Sequence, residues 1–393
     1  MKKLLLIGIN TRSMLNSALK LDYDIYSTSY FSTSDTPSIK NQKIILEESD
    51  GESCGIFEDE FDGKTILELS KDYIDEVDYI IPISGVSPSD FKKSDRKKIL
   101  GNRDVANIEN KFKFYKEIRD EFLTPMTFYI SDMDEALEIS DNYPNIQFIL
   151  KPLQGSGGYN INLLNNEESI ELNGNEFIMQ EYVPGISLSS SVLSSENESK
   201  TIVNSRLLTM NDFKNRNSFI YIGNILPLTD KSIMATVDDI YKLTDEMKFT
   251  SENLIDKFNL VGSNGVDYVL NEKGLYVIEI NPRIQGTFEC VENAFGINML
   301  DAHIKACQGK IIDVPKAKYY TYKKIIYSPN RMKYAPLDLD NIYDLPHVGS
   351  ITEKGEPLLT IIDKDADFEK LYEKVELTSK IVNEESRKGQ PDA

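Results

Sequence analysis

The stretch GVDYVLNEKGLYVIEINPR, residues 265–283, carries the clearest structural signal in the chain. Two runs rich in β-forming residues flank residues 271–274, a pattern that predicts a β-hairpin whose glycine supplies the positive φ of the turn. Alternation along the second strand places Glu279 and Asn281 on one face. Asp267 lies on the opposing strand, so cross-strand pairing predicts that its carboxylate is close to that of Glu279.

This polar face of the hairpin allows two interpretations. It can simply face solvent. Alternatively, two carboxylates and an amide oxygen form a partial site for Mg²⁺, which keeps some of its waters and takes further ligands from phosphates. Arg283 favours the second interpretation, because a guanidinium directly after the strand can hold a phosphoryl group or a carboxylate through two hydrogen bonds.

A glycine-rich segment, LKPLQGSGGYN at residues 150–160, precedes the hairpin in the chain. It is either a flexible turn between two strands or a loop that covers phosphates. Backbone N–H groups in the run 155–158 can approach phosphate oxygens closely because the glycines lack side chains. Lys151 would add a positive charge beneath them. In a P-loop the lysine follows the glycines and opens a helix, so the order found here argues against a P-loop.

A third segment, IMQEYVPG at residues 178–185, is a strand end followed by a Pro-Gly turn. Such an edge can offer backbone groups to an adenine while apolar neighbours cover the ring. Taken alone, it is best interpreted as an ordinary strand end.

Taken in order, these segments resemble the ATP-grasp superfamily over about residues 110–296, on its carbamoyl-phosphate synthetase and biotin-carboxylase side. The resemblance implies ATP held between two α+β lobes, together with Mg²⁺ or Mn²⁺. The implied ATP-binding residues are Lys111, Lys151, Gly155, Ser156, Gly157, Gly158, Gln180, Glu181, Tyr182, Val183 and Ser187. The implied metal ligands are Asp267, Glu279 and Asn281, and the implied catalytic residues are Arg283, Lys151 and Arg206. Ser187 stands near the position where many members carry a ribose-binding glutamate.

The expected fold class is α/β and α+β. Strand-like and helix-like segments alternate in the first third, which predicts a Rossmann-like parallel sheet. Ligands of such sheets bind beyond the carboxyl ends of the strands, so the turn at 84–87 is either a substrate contact or a plain loop. Further along, helices are predicted at 111–123 and 253–258. The predicted domains are an N-terminal α/β domain (1–110), a small ATP-grasp lobe (111–185), a large lobe with the metal site (186–310) and a mostly β C-terminal extension (311–393).

Composition restricts the partners. The chain has 44 Lys and Arg against 64 Asp and Glu, a formal charge of −20, which opposes binding to nucleic acid or to an anionic membrane. No segment is long enough to span a membrane, and the first residues are interpreted as a buried strand rather than a signal peptide. We therefore expect a cytoplasmic protein with small-molecule substrates and leave a homodimer open.

Three functions are compatible with these features. The resemblance implies a ligase that phosphorylates a carboxylate and joins it to an amine. Carboxylation through carboxyphosphate is the second function, since Arg283-Ile284-Gln285 resembles biotin carboxylases. Those enzymes continue with Val-Glu, and the glutamate is the base, whereas Glu289 here is displaced by two positions. The third is a non-catalytic nucleotide-binding protein, which would be expected to have lost some of these lysines or metal ligands.

Overall fold

The computed structural model describes residues 1–46, 50–52, 63–155, 157–164, 176–214 and 218–388. It begins with a parallel four-stranded sheet in the order β3-β2-β1-β4. Its elements are β1 (Lys2–Gly8), α1 (Arg12–Ala18), β2 (Tyr23–Phe31), β3 (Asn41–Leu46), α2 (Gly63–Leu69), α3 (Lys71–Glu76) and β4 (Tyr79–Pro82). Residues 4–7 of β1 are fully buried, as is usual for a central strand covered on both faces. Because β1 and β4 pair in parallel, their carboxyl ends lie side by side at one edge of the sheet.

A second sheet is antiparallel, with four strands in the order β5-β8-β6-β7. Its elements, with the two helices that precede it, are α4 (Ala106–Glu109), α5 (Lys111–Ile118), β5 (Thr127–Ile130), α6 (Met133–Asn142), β6 (Phe148–Pro152), β7 (Asn162–Leu163) and β8 (Phe177–Glu181). The helix predicted at 111–123 thus ends five residues early, at Ile118.

The third sheet has eight strands in the order β13-β12-β9-β10-β11-β14-β18-β16. The remaining elements are β9 (Ile186–Ser194), β10 (Ser199–Thr209), α7 (Asn211–Lys214), β11 (Tyr221–Leu226), α8 (Ile240–Lys257), β12 (Gly262–Asn271), β13 (Gly274–Asn281), α9 (Phe288–Phe295), α10 (Met299–Cys307), β14 (Tyr320–Tyr327), β15 (Met332–Lys333), β16 (Ile342–Tyr343), β17 (Ile351–Thr352), β18 (Pro357–Asp365) and α11 (Phe368–Lys388). Strands from the C-terminal region continue this sheet, and β15 pairs with β17 beside it.

Helix α8 is three times longer than the predicted segment 253–258. It starts at Asp239, whose carboxylate accepts hydrogen bonds from the N–H groups of Tyr241 and Lys242 and so caps the helix. Its buried residues, Leu243, Met247 and Leu254 among them, recur at helical spacing, but many charged residues separate them. The apolar stripe is therefore narrow, and sequence inspection located only its last turns.

The predicted fold class is confirmed: a parallel α/β sheet is followed by two antiparallel sheets and a mostly β C-terminal region. In the part of the chain that the structure describes, no helix combines the length and the apolar character needed to cross a membrane.

Candidate active site

A cavity of about 450 Å³ lies between the two antiparallel sheets and extends to the open end of the parallel sheet. Its walls include Lys151 from β6, the hairpin β12–β13, and Asn10 and Ser84, which follow β1 and β4. Ser84 belongs to the turn predicted from the crevice rule for parallel sheets, and it does line the cavity.

The hairpin pairs as its alternation predicted. Asp267 lies opposite Glu279, and the register shifts between Asp267 and Tyr268, where a bulge turns the strand. One carboxylate oxygen of Asp267 accepts a hydrogen bond of 2.6 Å from the hydroxyl of Ser189. The other accepts one of 2.8 Å from the amide of Asn281. The carboxylate is therefore fixed in position by its neighbours.

Burial, together with the negative charge of Glu279, raises the pKa of Asp267 to about 7. Two ionised carboxylates close together in a buried site repel each other unless a cation lies between them. Asn281 Oδ1 lies 3.3 Å from the Arg283 guanidinium, which donates to it. Among the described residues there is no cluster of three or more His, Cys, Asp or Glu side chains suited to a metal. Two carboxylates and an amide nevertheless fit a divalent ion that takes its other ligands from water and phosphate.

Lys151 is buried in the opposite wall of the cavity. Its Nζ donates a hydrogen bond of 2.7 Å to Gln180 Oε1, and Gln180 in turn donates one of 2.9 Å to Thr127. Burial lowers the pKa of Lys151 to about 8, although the charge of Glu279 acts to raise it. An ammonium whose hydrogen-bond partner is a neutral amide is stabilised by any anion that enters the cavity.

The glycine loop joins β6 to β7 of the small sheet and contacts the large sheet across the cavity. Lys111 Nζ donates to the Gly155 carbonyl at 2.8 Å. The backbone N–H of Tyr221, at the start of β11, donates to the Gly157 carbonyl at 3.0 Å. Gly158 has φ +77° and packs directly on the backbone of Phe219. Ser156, the second residue of the run, lies outside the described residues.

Gly158→Ala is expected to weaken ATP binding at least tenfold, measured as a higher KM for ATP or by titration calorimetry. A Cβ there would lie 2.0 Å from the carbonyl oxygen of Phe219, so the loop could not take this position. Gly309→Ala is the matched control, because Gly309 also has positive φ but has open space around it. Equal ATP affinity in both variants would contradict the assignment of the loop.

The last residue of β8 and the first residue after it both use their backbone N–H groups in hydrogen bonds within the protein. Glu181 donates to the carbonyl of Met126 at 2.8 Å, and Tyr182 donates to that of Gln147 at 2.7 Å. The Glu181 carboxylate accepts from the Met126 N–H at 3.1 Å. Contact with an adenine edge would therefore fall to other groups of the linker, such as those of Val183, which also lines the cavity.

Arg206 is placed differently from the other implied residues. Its guanidinium forms an ion pair with Asp212 and donates to the Ser187 carbonyl at 2.7 Å. Arg206 is not among the described residues that line the cavity, whereas Asp212 and Ser187 are. The geometry therefore makes Arg206 a support for two lining residues.

Sequence inspection missed Lys323, a buried residue of β14 that lines the same cavity. Its Nζ donates to the Gly286 carbonyl at 3.0 Å and lies 3.8 Å from the Glu289 carboxylate. The only local signal is a pair of lysines within a strand-like run, since β14 joins the sheet through pairings that are distant in sequence.

Glu289 is fully engaged in an ion pair. Arg12 donates to both of its carboxylate oxygens, at 2.9 and 3.0 Å, and Arg12 is itself almost completely buried. This bidentate geometry is the strongest form of a guanidinium–carboxylate contact.

Residues 108–287 match the family model of an ATP-grasp domain. The resemblance to the ATP-grasp superfamily is therefore confirmed over these residues. A full-length similarity is found to an uncharacterized protein of Methanocaldococcus jannaschii, 28% identical over 370 residues that cover 92% of this chain and 88% of that protein.

Solved structures of low sequence identity share the fold. N5-carboxyaminoimidazole ribonucleotide synthetase from Thermotoga maritima has a TM-score of 0.68 and 17% identity, over 97% of this chain and 98% of that one. The Aspergillus clavatus carboxyaminoimidazole ribonucleotide synthase complexed with ATP has a TM-score of 0.71 and 14% identity, over 98% and 99%. The biotin carboxylase domain of Hydrogenobacter thermophilus 2-oxoglutarate carboxylase, with MgADP and bicarbonate, has a TM-score of 0.69 and 13% identity, over 95% and 88%.

Proposed function

We propose that the protein is an ATP-dependent ligase that phosphorylates a substrate carboxylate and joins the resulting acyl group to an amine. The observation that carries this proposal is the convergence on one cavity of two lysines, the glycine loop and the polar end of the hairpin. These are the groups that a transferring phosphoryl group requires. The same cavity reaches the carboxyl ends of β1 and β4, where a second and a third substrate can enter.

The reaction proceeds in two steps. A carboxylate oxygen of the acid attacks the γ-phosphorus of ATP, the bond to the β–γ bridging oxygen breaks, and ADP leaves. The amine nitrogen then attacks the acyl carbon, the carbon–oxygen bond to phosphate breaks, and inorganic phosphate leaves with one proton from the amine. No nucleophile of the protein takes part, so catalysis consists of positioning and charge stabilisation.

The chain's own residues divide this work by position. Lys151 and Lys111 hold the phosphates from the side of the small sheet, while the glycine loop covers them and excludes water. Arg283 holds the acyl phosphate through hydrogen bonds directed from the strand end. A divalent cation bound by Asp267, Glu279 and Asn281 would neutralise charge on the β- and γ-phosphates. The linker residues 180–183 hold the nucleoside.

Carboxylation through carboxyphosphate is less well supported. In that reaction Glu289 would have to act as the base, in the role that a glutamate has in biotin carboxylases. Its two oxygens are occupied by Arg12, and Lys323 lies nearby. A carboxylate held in this way is positioned for structure rather than for proton transfer.

The decisive experiment measures Mg²⁺-dependent ADP release across a panel of carboxylates and bicarbonate, with hydroxylamine as a small amine that traps acyl phosphates. ADP together with a hydroxamate is expected for at least one carboxylate. ADP release with bicarbonate alone would replace ligation by carboxylation. ADP release with none of the acids, in protein shown to bind ATP, would favour a non-catalytic nucleotide-binding function.

A further inference from the structure

A second cavity of about 180 Å³ lies between the end of β2 and the C-terminal strands β14 and β18. Its walls are mainly apolar and include Phe31, Ile325 and Leu359. An apolar cavity of about 150 Å³ is large enough to take a benzene-sized molecule. The second cavity therefore has room for one aryl ring or a short alkyl chain.

The second cavity and the active-site cavity share one wall residue, Asn10. Asn10 follows β1, and its side-chain amide donates a hydrogen bond of 3.0 Å to Asp344, which also lines the second cavity. A ligand lying in the second cavity with its polar end at Asn10 would therefore lie on the side of that cavity that borders the active site.

The charge around this junction is negative. Arg12 bonds to Glu289 and, at 2.7 Å, to Asp344, and its Nε lies 3.6 Å from Asp35. Lys323 is the other cation of this network, 3.8 Å from Glu289. Three carboxylates thus face two cations, and one negative charge remains uncompensated within the network.

The wall chemistry selects against an acid. Among the described residues that line the second cavity there is no Lys or Arg, whereas Asp344 and Glu356 are both present. The active-site cavity differs, because Lys and Arg side chains are present in its walls together with carboxylates. The second cavity therefore favours a cationic ligand over an anionic one.

We propose that the second cavity binds the amine substrate, a primary amine that carries an aryl or short alkyl group. The apolar body packs against Ile325 and Leu359, and the nitrogen lies at Asn10, beside Asp344, as an ammonium that gives one proton to solvent before it attacks the acyl carbon. This inference rests on the ligase function proposed above and names the chemical class of its second substrate.

The test compares amines of increasing length, from methylamine to n-hexylamine, and phenethylamine, as competitors of hydroxylamine in the reaction with the acid that the panel identifies. Affinity is expected to rise about fourfold for each buried methylene, until the cavity is full. The neutral analogue 2-phenylethanol is expected to compete at least tenfold more weakly than phenethylamine, because it carries no charge for the acidic junction.

Two variants at one position act in opposite directions. Ile325→Phe fills the cavity on a strand that tolerates aromatic residues, and it should lower the rate with hexylamine relative to hydroxylamine at least tenfold. Ile325→Ala enlarges the cavity and should extend the preference to longer amines. Unchanged amine preferences in both variants, or equal competition by 2-phenylethanol, would overturn the proposal.

Failure of the ligase function gives a different result. If no acid yields a hydroxamate, the ligase function is rejected. Calorimetric titration of phenethylamine in the presence of MgADP then tests separately whether the second cavity binds an amine. Binding to the wild type that is lost in Ile325→Phe would support the amine site. Absence of binding to the wild type would overturn it.

Discussion

Glu279→Gln is expected to lower Mg²⁺-dependent ADP formation at least about 1,000-fold while leaving the free energy of unfolding unchanged or higher. The variant removes one of the two carboxylates of the metal site proposed above. It also removes a negative charge that disfavours ionisation of Asp267, whose pKa is raised by burial and by Glu279. Loss of activity without loss of stability separates a functional carboxylate from a structural one.

The pH dependence of stability offers a second readout of the same variant. When the pKa of a carboxyl group is higher in the folded state than in the unfolded state, the group contributes most to stability below its unfolded-state pKa. This contribution is lost as the pH rises toward the folded-state pKa. In the wild type, stability should therefore fall between about pH 4 and pH 7, where Asp267 ionises against Glu279. The fall should be shallower in Glu279→Gln, as measured by chemical denaturation across that range.

Glu272→Gln is the matched control, since Glu272 lies in the exposed turn of the same hairpin. Mg²⁺ should raise the Tm of the wild type and of this control in the presence of ADP, and it should not raise that of Glu279→Gln. Full turnover in Glu279→Gln, or an equal Mg²⁺ effect on all three proteins, would contradict the metal assignment.

The sequence predicts those parts of the fold that depend on local pattern. The hairpin at 265–283 follows from alternation and from Gly274, and the parallel sheet follows from alternating strands and helices. The pairing of Asp267 with Glu279 is confirmed because both residues lie within one hairpin. Here local propensity and final structure agree, as is typical where one short segment contains both partners.

Contacts between segments that are distant along the chain could not be predicted from the sequence. Arg12 and Asp344 are 332 positions apart, and nothing near Arg12 marks it as a residue to be buried among carboxylates. Lys323 reaches the active-site cavity only because β14 pairs with β11 and continues the large sheet. The resemblance implied a catalytic role for Arg206, whereas its ion pair with Asp212 depends on how the following turn folds back.

Lys151→Met is expected to lower ADP formation at least about 100-fold and to weaken ATP binding, because it removes the buried cation of the small sheet. The ammonium is buried beside a neutral amide, which lowers its pKa to about 8 from 10.5. Nucleotide phosphates would restore the charge balance that burial disturbs. In the wild type, ATP should therefore raise the pKa of Lys151, and the stabilisation by ATP should be larger below pH 8 than above it.

The pH dependence of the free energy of unfolding should reflect the burial of the Lys151 ammonium even in the absence of nucleotide. Between pH 8 and 10.5 the unfolded lysine binds a proton that the folded lysine has lost, so the free energy of unfolding rises with pH in that window. The rise attributable to Lys151 is about 3 kcal/mol, taking 1.36 kcal/mol for each pKa unit. Lys151→Met should lack this rise. Loss of the hydrogen bond to Gln180 shifts its stability by a constant amount and leaves the slope unaffected.

Lys113→Met provides the comparison, because Lys113 is exposed on α5 and should show wild-type turnover and a wild-type slope. A wild-type slope in Lys151→Met would mean that the ammonium is well solvated in the folded protein. Wild-type turnover in the same variant would remove Lys151 from the phosphate site. The two results are independent, because the first concerns burial of the charge and the second concerns its contact with ATP.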